Sequence, residues 1–128
     1  MVQVVLPNDA NPLGFILGGT VMHLIDIAGA IACHRHTRTL LVTAAWSTSL
    51  EVEVEVFSEE TLTGVRRMTS RAYLTFVATD RDGQRTRIPG LILETDEEKR
   101  RAAEADLRRA ERLKARKLLE ERLGETKN

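Results

Sequence analysis

The stretch Asn11-Pro-Leu-Gly-Phe-Ile-Leu-Gly-Gly-Thr-Val-Met-His-Leu-Ile-Asp26 decides the fold of this chain and carries its most unusual charge. After the glycine pair Gly18-Gly19, apolar residues recur with helical spacing, which predicts a helix that runs to about His34. The helix is apolar on nearly every side, so we expect other structure to surround it. An ionised carboxylate such as Asp26 is costly in apolar surroundings unless it is paired or hydrated. It therefore marks either a hydrogen-bonded core network or a reactive site.

Alternating patterns in the middle of the chain predict an antiparallel sheet. In Leu50–Val56 the apolar residues alternate with three glutamates, and Met68–Thr79 alternates in the same way. We expect the glutamate face to meet water or basic partners on neighbouring strands. Shorter strands are predicted at Val2–Leu6, Leu40–Trp46 and Gln84–Ile88, the last after a hairpin turn at Asp80–Gly83.

A charged segment ends the chain. We predict a largely solvated helix over Glu97–Leu123 that ends near Gly124, and we interpret it as a solubilising or oligomer-edge element. The chain then divides into a domain at 1–95 and a helical extension at 96–128. One apolar helix and one sheet predict an α+β fold in which the sheet curls around the helix. Opposite charges four positions apart support the terminal helix at Asp96–Arg100, Glu97–Arg101 and Glu104–Arg108.

The composition excludes several functional classes. Lys and Arg number 19, as do Asp and Glu, whereas a nucleic-acid-binding protein would carry a basic excess. The single cysteine, Cys33, cannot form an internal disulfide, which indicates a reducing compartment. Neither a secretion signal nor a membrane-spanning run is apparent. We therefore predict a cytoplasmic protein with no nucleic-acid or membrane partner, and the uneven spacing of the histidines predicts no metal site.

A spaced motif connects the first helix to the residues before it: Pro7, Ala10, Asn11, Gly14, Gly18, Gly19, Met22, Ile25 and Asp26. Further matching segments lie at Val42–Ala44, Thr48–Ser49 and Tyr73–Gly83. Together these residues resemble the signature of the acyl-CoA thioesterases (acyl-CoA hydrolases), whose fold is the hotdog fold. The resemblance covers most of the chain.

The resemblance implies hydrolysis of acyl-CoA to a free acid and coenzyme A, with no metal or other cofactor. It implies that Asp26 acts as general base or nucleophile and that Asn11 positions water or substrate. The N–H groups of Gly18 and Gly19 would polarise the thioester carbonyl. The implied assembly is a homodimer or a trimer of dimers. Candidate coenzyme A contacts are Thr48, Ser49 and Arg85.

Each of these residues also has a structural explanation. Asp26 could be paired with His23 or with an arginine, and Asn11 could simply shape the turn before Pro12. Cys33 would be a small apolar filler. For Thr48, Ser49 and Arg85 the structural explanation is that strand-end hydroxyls and exposed basic residues commonly have no function beyond solvation.

The chain departs from the family between Trp46 and Ser47, where roughly two strand lengths and a turn are missing. No turn residues occupy the junction, so a strand could run straight through it. The chain is then a shortened variant, a sequence that lacks an internal segment, or a degenerate homologue. The alternative function is a non-catalytic acyl-CoA-binding or oligomer-forming hotdog module. A hotdog dehydratase fits less well, because its site needs a histidine beside the carboxylate in another motif.

Overall fold

A computed structural model describes residues 1–34 and 42–126, without the side chains of residues 42, 43, 125 and 126. Predictions for residues 35–41, including the loop with His36, lie outside this part of the chain. The described elements are a short 3-10 turn at Pro7–Asp9, α1 (Gly18–His34), β1 (Val42–Ala45), β2 (Ser49–Glu59), β3 (Arg66–Val77) and α2 (Asp96–Thr126). The strands form one antiparallel sheet in the order β1-β2-β3. The α+β class is confirmed.

The central strand β2 has the two different faces that its alternating sequence predicts. Val52 and Val54 are buried in the core together with Ile25 and Ala32 of α1. On β3, the inward residues pack against the same cluster, and the register runs from Ser49 opposite Val77 along the strand. The predicted orientation of both long strands is therefore confirmed.

Helix α1 lies on one face of the sheet, and Gly29 is a point of close approach between the helix and β3. A Cβ atom at Gly29 would lie 3.0 Å from the Phe76 ring, so the missing side chain lets the helix come near β3. The side of α1 away from the sheet is open in the single chain, where Met22 and Asp26 are exposed.

Helix α2 covers the opposite face of the sheet along its first half. Ala105 is fully buried there, and Glu51 of β2 is buried beneath the helix, whereas residues 109–124 are exposed. The prediction of a largely solvated helix is therefore confirmed, since Ala105 is the one buried residue in the described part of α2. What the prediction lacked is the contact along the first half, where half-buried arginines meet the glutamate face of β2, which needs cationic partners when it is removed from water.

Two predicted short strands are absent. Val2–Leu6 is irregular and exposed, because no described strand lies beside it to satisfy its backbone groups. Gln84–Ile88 forms only an isolated bridge between Arg85 and Thr79. The turn at Asp80–Gly83 is as predicted, because the Gly83 N–H donates to the Asp80 backbone carbonyl and Gly83 has a φ of 77°.

The junction at Trp46–Ser47 is a hairpin turn, and the prediction of a continuous strand is wrong. The Trp46 N–H donates to the Ser49 carbonyl at 2.7 Å, and Ala45 lies opposite Leu50. Folding back gives β1 a partner for its backbone groups, which a straight extension would leave unpaired.

Candidate active site

The loop before α1 is organised by Asn11. Its Oδ1 accepts the N–H groups of Leu13 at 3.0 Å and Phe15 at 3.1 Å, and its own N–H donates to the Phe15 carbonyl. Asn11 is thus a turn residue, as its structural explanation predicts. Its Nδ2 has no partner among the described residues, so the amide can still donate a hydrogen bond to a ligand or water.

The start of α1 presents unused donors. The Leu17 N–H donates to the Asp9 carbonyl, and the first bond of the helix runs from the Val21 N–H to the Leu17 carbonyl. Within the described chain, the N–H groups of Gly18 and Gly19 therefore have no backbone acceptor. A Cβ at either glycine would meet open space, so a substrate can approach closely. Free N–H groups at the positive end of a helix stabilise an oxyanion.

Asp26 lies on α1 two turns beyond this open end. Gly19, Met22 and Asp26 are three and four positions apart, so they share one side of the helix. The carboxylate is exposed, and the described residues offer it neither a hydrogen bond nor an ion pair. Pairing with His23 or an arginine therefore has no support within this part of the chain. The expected apolar enclosure is also missing from the single chain.

The three predicted coenzyme A contacts meet at one end of the sheet. The Ala78 N–H donates to the Thr48 carbonyl at 2.9 Å, and the Thr86 N–H donates to the Ala78 carbonyl at 3.0 Å. Thr48 and Ser49 are half-buried, and Arg85 is exposed in the adjacent 79–85 hairpin. The structure thus brings together residues that are far apart in sequence.

A metal centre is not formed by the described residues, where no three His, Cys, Asp or Glu side chains cluster. Burial raises the pKa of the Cys33 thiol, which makes it a poor nucleophile and agrees with its reading as a filler. In the described part of the chain, neither helix combines the length and hydrophobicity needed to cross a membrane.

Sequence reasoning missed the basic partners that α2 supplies to β2. Arg108 contacts Glu51 at 2.6 Å, and Arg112 contacts the same carboxylate at 3.3 Å. Arg71 of the neighbouring strand contacts Glu53 at 3.1 Å, as predicted. The arginines of α2 are more than fifty positions from Glu51 along the chain, so no local pattern connects them.

Two known proteins are similar to this chain in amino-acid sequence. Scanned against models of known protein families, the chain matches none. It is 32% identical over 119 residues to an uncharacterized acyl-CoA thioester hydrolase of Bacillus subtilis, covering 73% of this chain and 69% of that protein. It is 26% identical over 131 residues to the human cytosolic acyl coenzyme A thioester hydrolase, covering 81% of this chain. The aligned region is 34% of the human protein, so this chain spans about a third of that length.

Solved structures share the fold. An apo-hexameric acyl-CoA thioesterase superposes with a TM-score of 0.79 at 33% identity, covering 88% of each chain. The acyl-CoA hydrolase of Staphylococcus aureus, solved with butyryl coenzyme A and coenzyme A, gives a TM-score of 0.76 at 28% identity. That match covers 96% of this chain and 90% of the hydrolase. The hotdog fold is confirmed.

The positions replaced in variants of the S. aureus hydrolase have the same spacing as Asn11 and Asp26 in this chain. Structures exist with an asparagine, an aspartate or a threonine replaced by alanine. That asparagine and aspartate are 15 positions apart, like Asn11 and Asp26. The threonine follows the aspartate by 17 positions, as Thr43 follows Asp26. Thr43 belongs to the Val42–Ala44 segment of the family resemblance and was not among the predicted site residues.

The alignment with the B. subtilis protein contains positions at which this chain has no residue. It runs over 119 residues, whereas 73% of the 128 residues is about 93. The difference of about 26 positions is more than the two typical strands and a turn predicted to be missing at Trp46–Ser47. Despite this shortfall the match spans more than two thirds of both proteins, and the chain belongs to the acyl-CoA thioester hydrolase family.

Proposed function

We propose that this protein hydrolyses acyl-CoA thioesters to a free acid and coenzyme A, with Asp26 as the catalytic carboxylate. The observation that carries the proposal is the side of α1 on which the exposed Asp26 carboxylate, without a partner among the described residues, follows the open helix start. The spacing of Asn11 and Asp26, shared with the residues replaced in the S. aureus hydrolase, supports it.

The reaction follows from this arrangement. As general base, Asp26 takes a proton from a water molecule whose oxygen attacks the thioester carbonyl; as nucleophile, its carboxylate attacks the carbonyl directly. In both cases negative charge develops on the carbonyl oxygen, where the Gly18 and Gly19 N–H groups stabilise it. On the general-base route the C–S bond then breaks, the free acid forms, and the coenzyme A thiolate takes up the proton held by Asp26. On the nucleophilic route the same bond breaks to leave a mixed anhydride on Asp26, and water hydrolyses that anhydride to release the free acid and supply the proton for the thiolate. Asn11 Nδ2 orients the water or the substrate carbonyl, and no metal or organic cofactor takes part.

A second copy of the chain completes the site. Large apolar side chains around the start of α1 are exposed in the single chain: Leu13 by 79%, Phe15 by 68% and Met22 by 65%. A surface of this kind is typical of an interface between subunits. A homodimer, or a trimer of dimers, would cover it and enclose Asp26. The hexameric thioesterase with the same fold supports such an assembly.

Thr48, Ser49 and Arg85 would contact the coenzyme A moiety. Arg85 supplies a cation for its phosphates, and the two hydroxyl side chains supply hydrogen bonds. The division into a domain at 1–95 and an extension at 96–128 is part of the proposal, as is a cytoplasmic location. The single cysteine and the human cytosolic relative support that location.

The test is release of free thiol from acyl-CoA substrates of increasing chain length, for the wild type beside Asp26→Asn and Asp26→Ala. Loss of a general base lowers the rate by about a hundredfold or more. Glu111→Ala, which removes an exposed carboxylate from α2, is the matched control. Undiminished turnover in Asp26→Ala would refute the assignment.

The missing segment favours one alternative, a non-catalytic acyl-CoA-binding module. Three strands leave less sheet to line an acyl tunnel than a longer relative has. Calorimetry with a non-hydrolysable acyl-CoA thioether distinguishes the two. Binding together with thiol release supports the enzyme, whereas binding without release by the wild type supports the module.

A further inference from the structure

The three-residue connection Trp46–Thr48 between β1 and β2 lacks the residues that usually make so short a hairpin. Such hairpins favour turns with positive φ at Asn, Asp or Gly, because that backbone twist matches the strands. Throughout the described residues positive φ occurs only at glycines, so neither Ser47 nor Thr48 adopts it. The turn is therefore poorly specified by its own sequence, and contacts from elsewhere must fix its position.

One side of the turn is fixed by the 78–88 segment. The Ile88 N–H donates to the Ser47 carbonyl at 3.0 Å, and the Ala78 N–H donates to the Thr48 carbonyl. These backbone bonds hold the turn beside Arg85. These bonds do not involve the Trp46 side chain, which contacts α2 instead of the 78–88 segment.

The Trp46 side chain joins the turn to α2. Its Nε1–H donates to Asp106 Oδ1 at 2.9 Å, and the Arg109 guanidinium lies 4.9 Å from the centre of its ring. A hydrogen bond to a carboxylate is stronger than one between neutral groups. The Trp46 backbone N–H also closes the turn onto Ser49, so the residue that contacts the helix is part of the turn itself.

Helix α2 is a fixed support at this point. Arg108 and Arg112 contact Glu51, which is fully buried two residues after Ser49. The Arg108 guanidinium also lies 3.7 Å from the centre of the Tyr73 ring on β3. The helix is thus anchored to β2 and β3 by Arg108, within one helical turn of Asp106, and to β2 again by Arg112 further along.

We propose that α2 positions the coenzyme A contacts through the Trp46–Asp106 hydrogen bond. Trp46 and Asp106 are positioning residues: neither touches the ligand, and both act through the orientation of Thr48 and Ser49. The proposal rests on the proposed function for the identity of the ligand. It also explains why a chain with so short a β1–β2 connection retains a long C-terminal helix.

The experiment measures the affinity for free coenzyme A by calorimetry, in the wild type, Asp106→Ala, Asp106→Asn and the control Glu111→Ala. We expect Asp106→Ala to bind coenzyme A about fivefold more weakly, the effect of one hydrogen bond. Asp106→Asn keeps an acceptor and should restore most of the affinity. Glu111→Ala should bind as the wild type does.

Kinetics separate positioning from general destabilisation. Asp106→Ala should raise KM for acyl-CoA by the same factor with kcat unchanged, and it should leave KM unchanged for an acyl-pantetheine thioester, which lacks the nucleotide. Trp46→Phe, which keeps the ring but removes the N–H, should behave as Asp106→Ala does. A thermal melt of each variant verifies that it is folded.

Equal coenzyme A affinity in Asp106→Ala and Glu111→Ala would overturn the proposal, as would a loss of kcat with unchanged KM. Failure of the wild type to bind coenzyme A would overturn it too. If coenzyme A binds in an Asp106-dependent manner but no thioester is cleaved, the proposed enzymatic function fails and the positioning role stands.

Discussion

The two faces of the sheet are covered by different kinds of contact, although the alternating residues of one strand, β2, supply side chains to both. On one face Val52 and Val54 pack against α1 through apolar contacts, and Gly29 lets the helix approach closely. On the other face Glu51 is as fully buried as Val52, but its partners are the arginines of α2. The first face would be stable with any apolar helix of the right shape. The second requires specific charged partners, because a buried carboxylate without them is costly.

This difference also separates the two proposed parts of the site. The catalytic carboxylate lies on α1, whose outer side is open to substrate or to a second copy. The coenzyme A contacts lie at the end of β2 that α2 covers and orients. Chemistry is thus assigned to α1 and binding to the end of the sheet that α2 supports, and variants in the two regions should affect different quantities.

The largest effect on stability is expected from breaking the charged face. In Arg108→Ala/Arg112→Ala, Glu51 loses both of these guanidinium partners while it remains buried. We expect the free energy of unfolding to fall by about 3 kcal/mol, because a buried carboxylate is costly when it loses cationic partners. Urea denaturation followed by circular dichroism measures the change.

A surface ion pair of the same helix is the control for this prediction. Arg116 contacts Glu120 at 2.7 Å, and both side chains are exposed. Arg116→Ala should cost less than about 1 kcal/mol. Adding Glu51→Leu to the double variant should recover part of the loss, because an apolar side chain needs no ionic partner. A double variant as stable as Arg116→Ala would contradict the view that the charged face depends on its partners.

A smaller effect is expected on the apolar face at Gly29. Gly29→Val places methyl groups against the Phe76 ring, where even a Cβ would lie at 3.0 Å. We expect a destabilisation of about 2 kcal/mol from overpacking. Gly90→Val, at a position where a Cβ meets open space, should change stability much less. Phe76→Leu combined with Gly29→Val should be less destabilised than the sum of the two single variants.

The apolar face could be predicted from the sequence and the charged face could not. Helix α1 and strand β2 follow from periodicity, which is a local property, and Asp26 and the helix start are encoded in the same short stretch. The Arg108–Glu51 pair joins residues 57 positions apart, so no periodicity indicates it. The turn at Ser47–Thr48 was missed because these residue types suit a strand as well as a turn. The meeting of Thr48 with Arg85 likewise depends on long-range pairing.

The smallest effect concerns the start of α2, where the charges are exposed. Hydrogen bonds from Arg100 and Arg101 lower the pKa of Glu97 to about 2. Because this pKa is depressed on folding, the stabilisation is fully present above pH 4.5, the ordinary value, and is lost as the pH falls towards 2. Solvent screening keeps the contribution small. Carboxyl chemical shifts followed by NMR should show Glu97 titrating near pH 2, well below the ordinary value of 4.5.

The neighbouring residue Glu98 allows the effect of ion pairing on a carboxyl pKa to be distinguished from the effect of helix capping at the same helix end. Its Oε2 accepts the Thr95 N–H at 3.0 Å, while Thr95 Oγ1 accepts the Glu98 N–H, a capping box that lowers the Glu98 pKa. Added salt screens the arginine pairs of Glu97 but leaves these short hydrogen bonds in place. We therefore expect 1 M salt to raise the pKa of Glu97 more than that of Glu98. Equal shifts would mean that both carboxylates respond to the general field of the helix end rather than to their own partners.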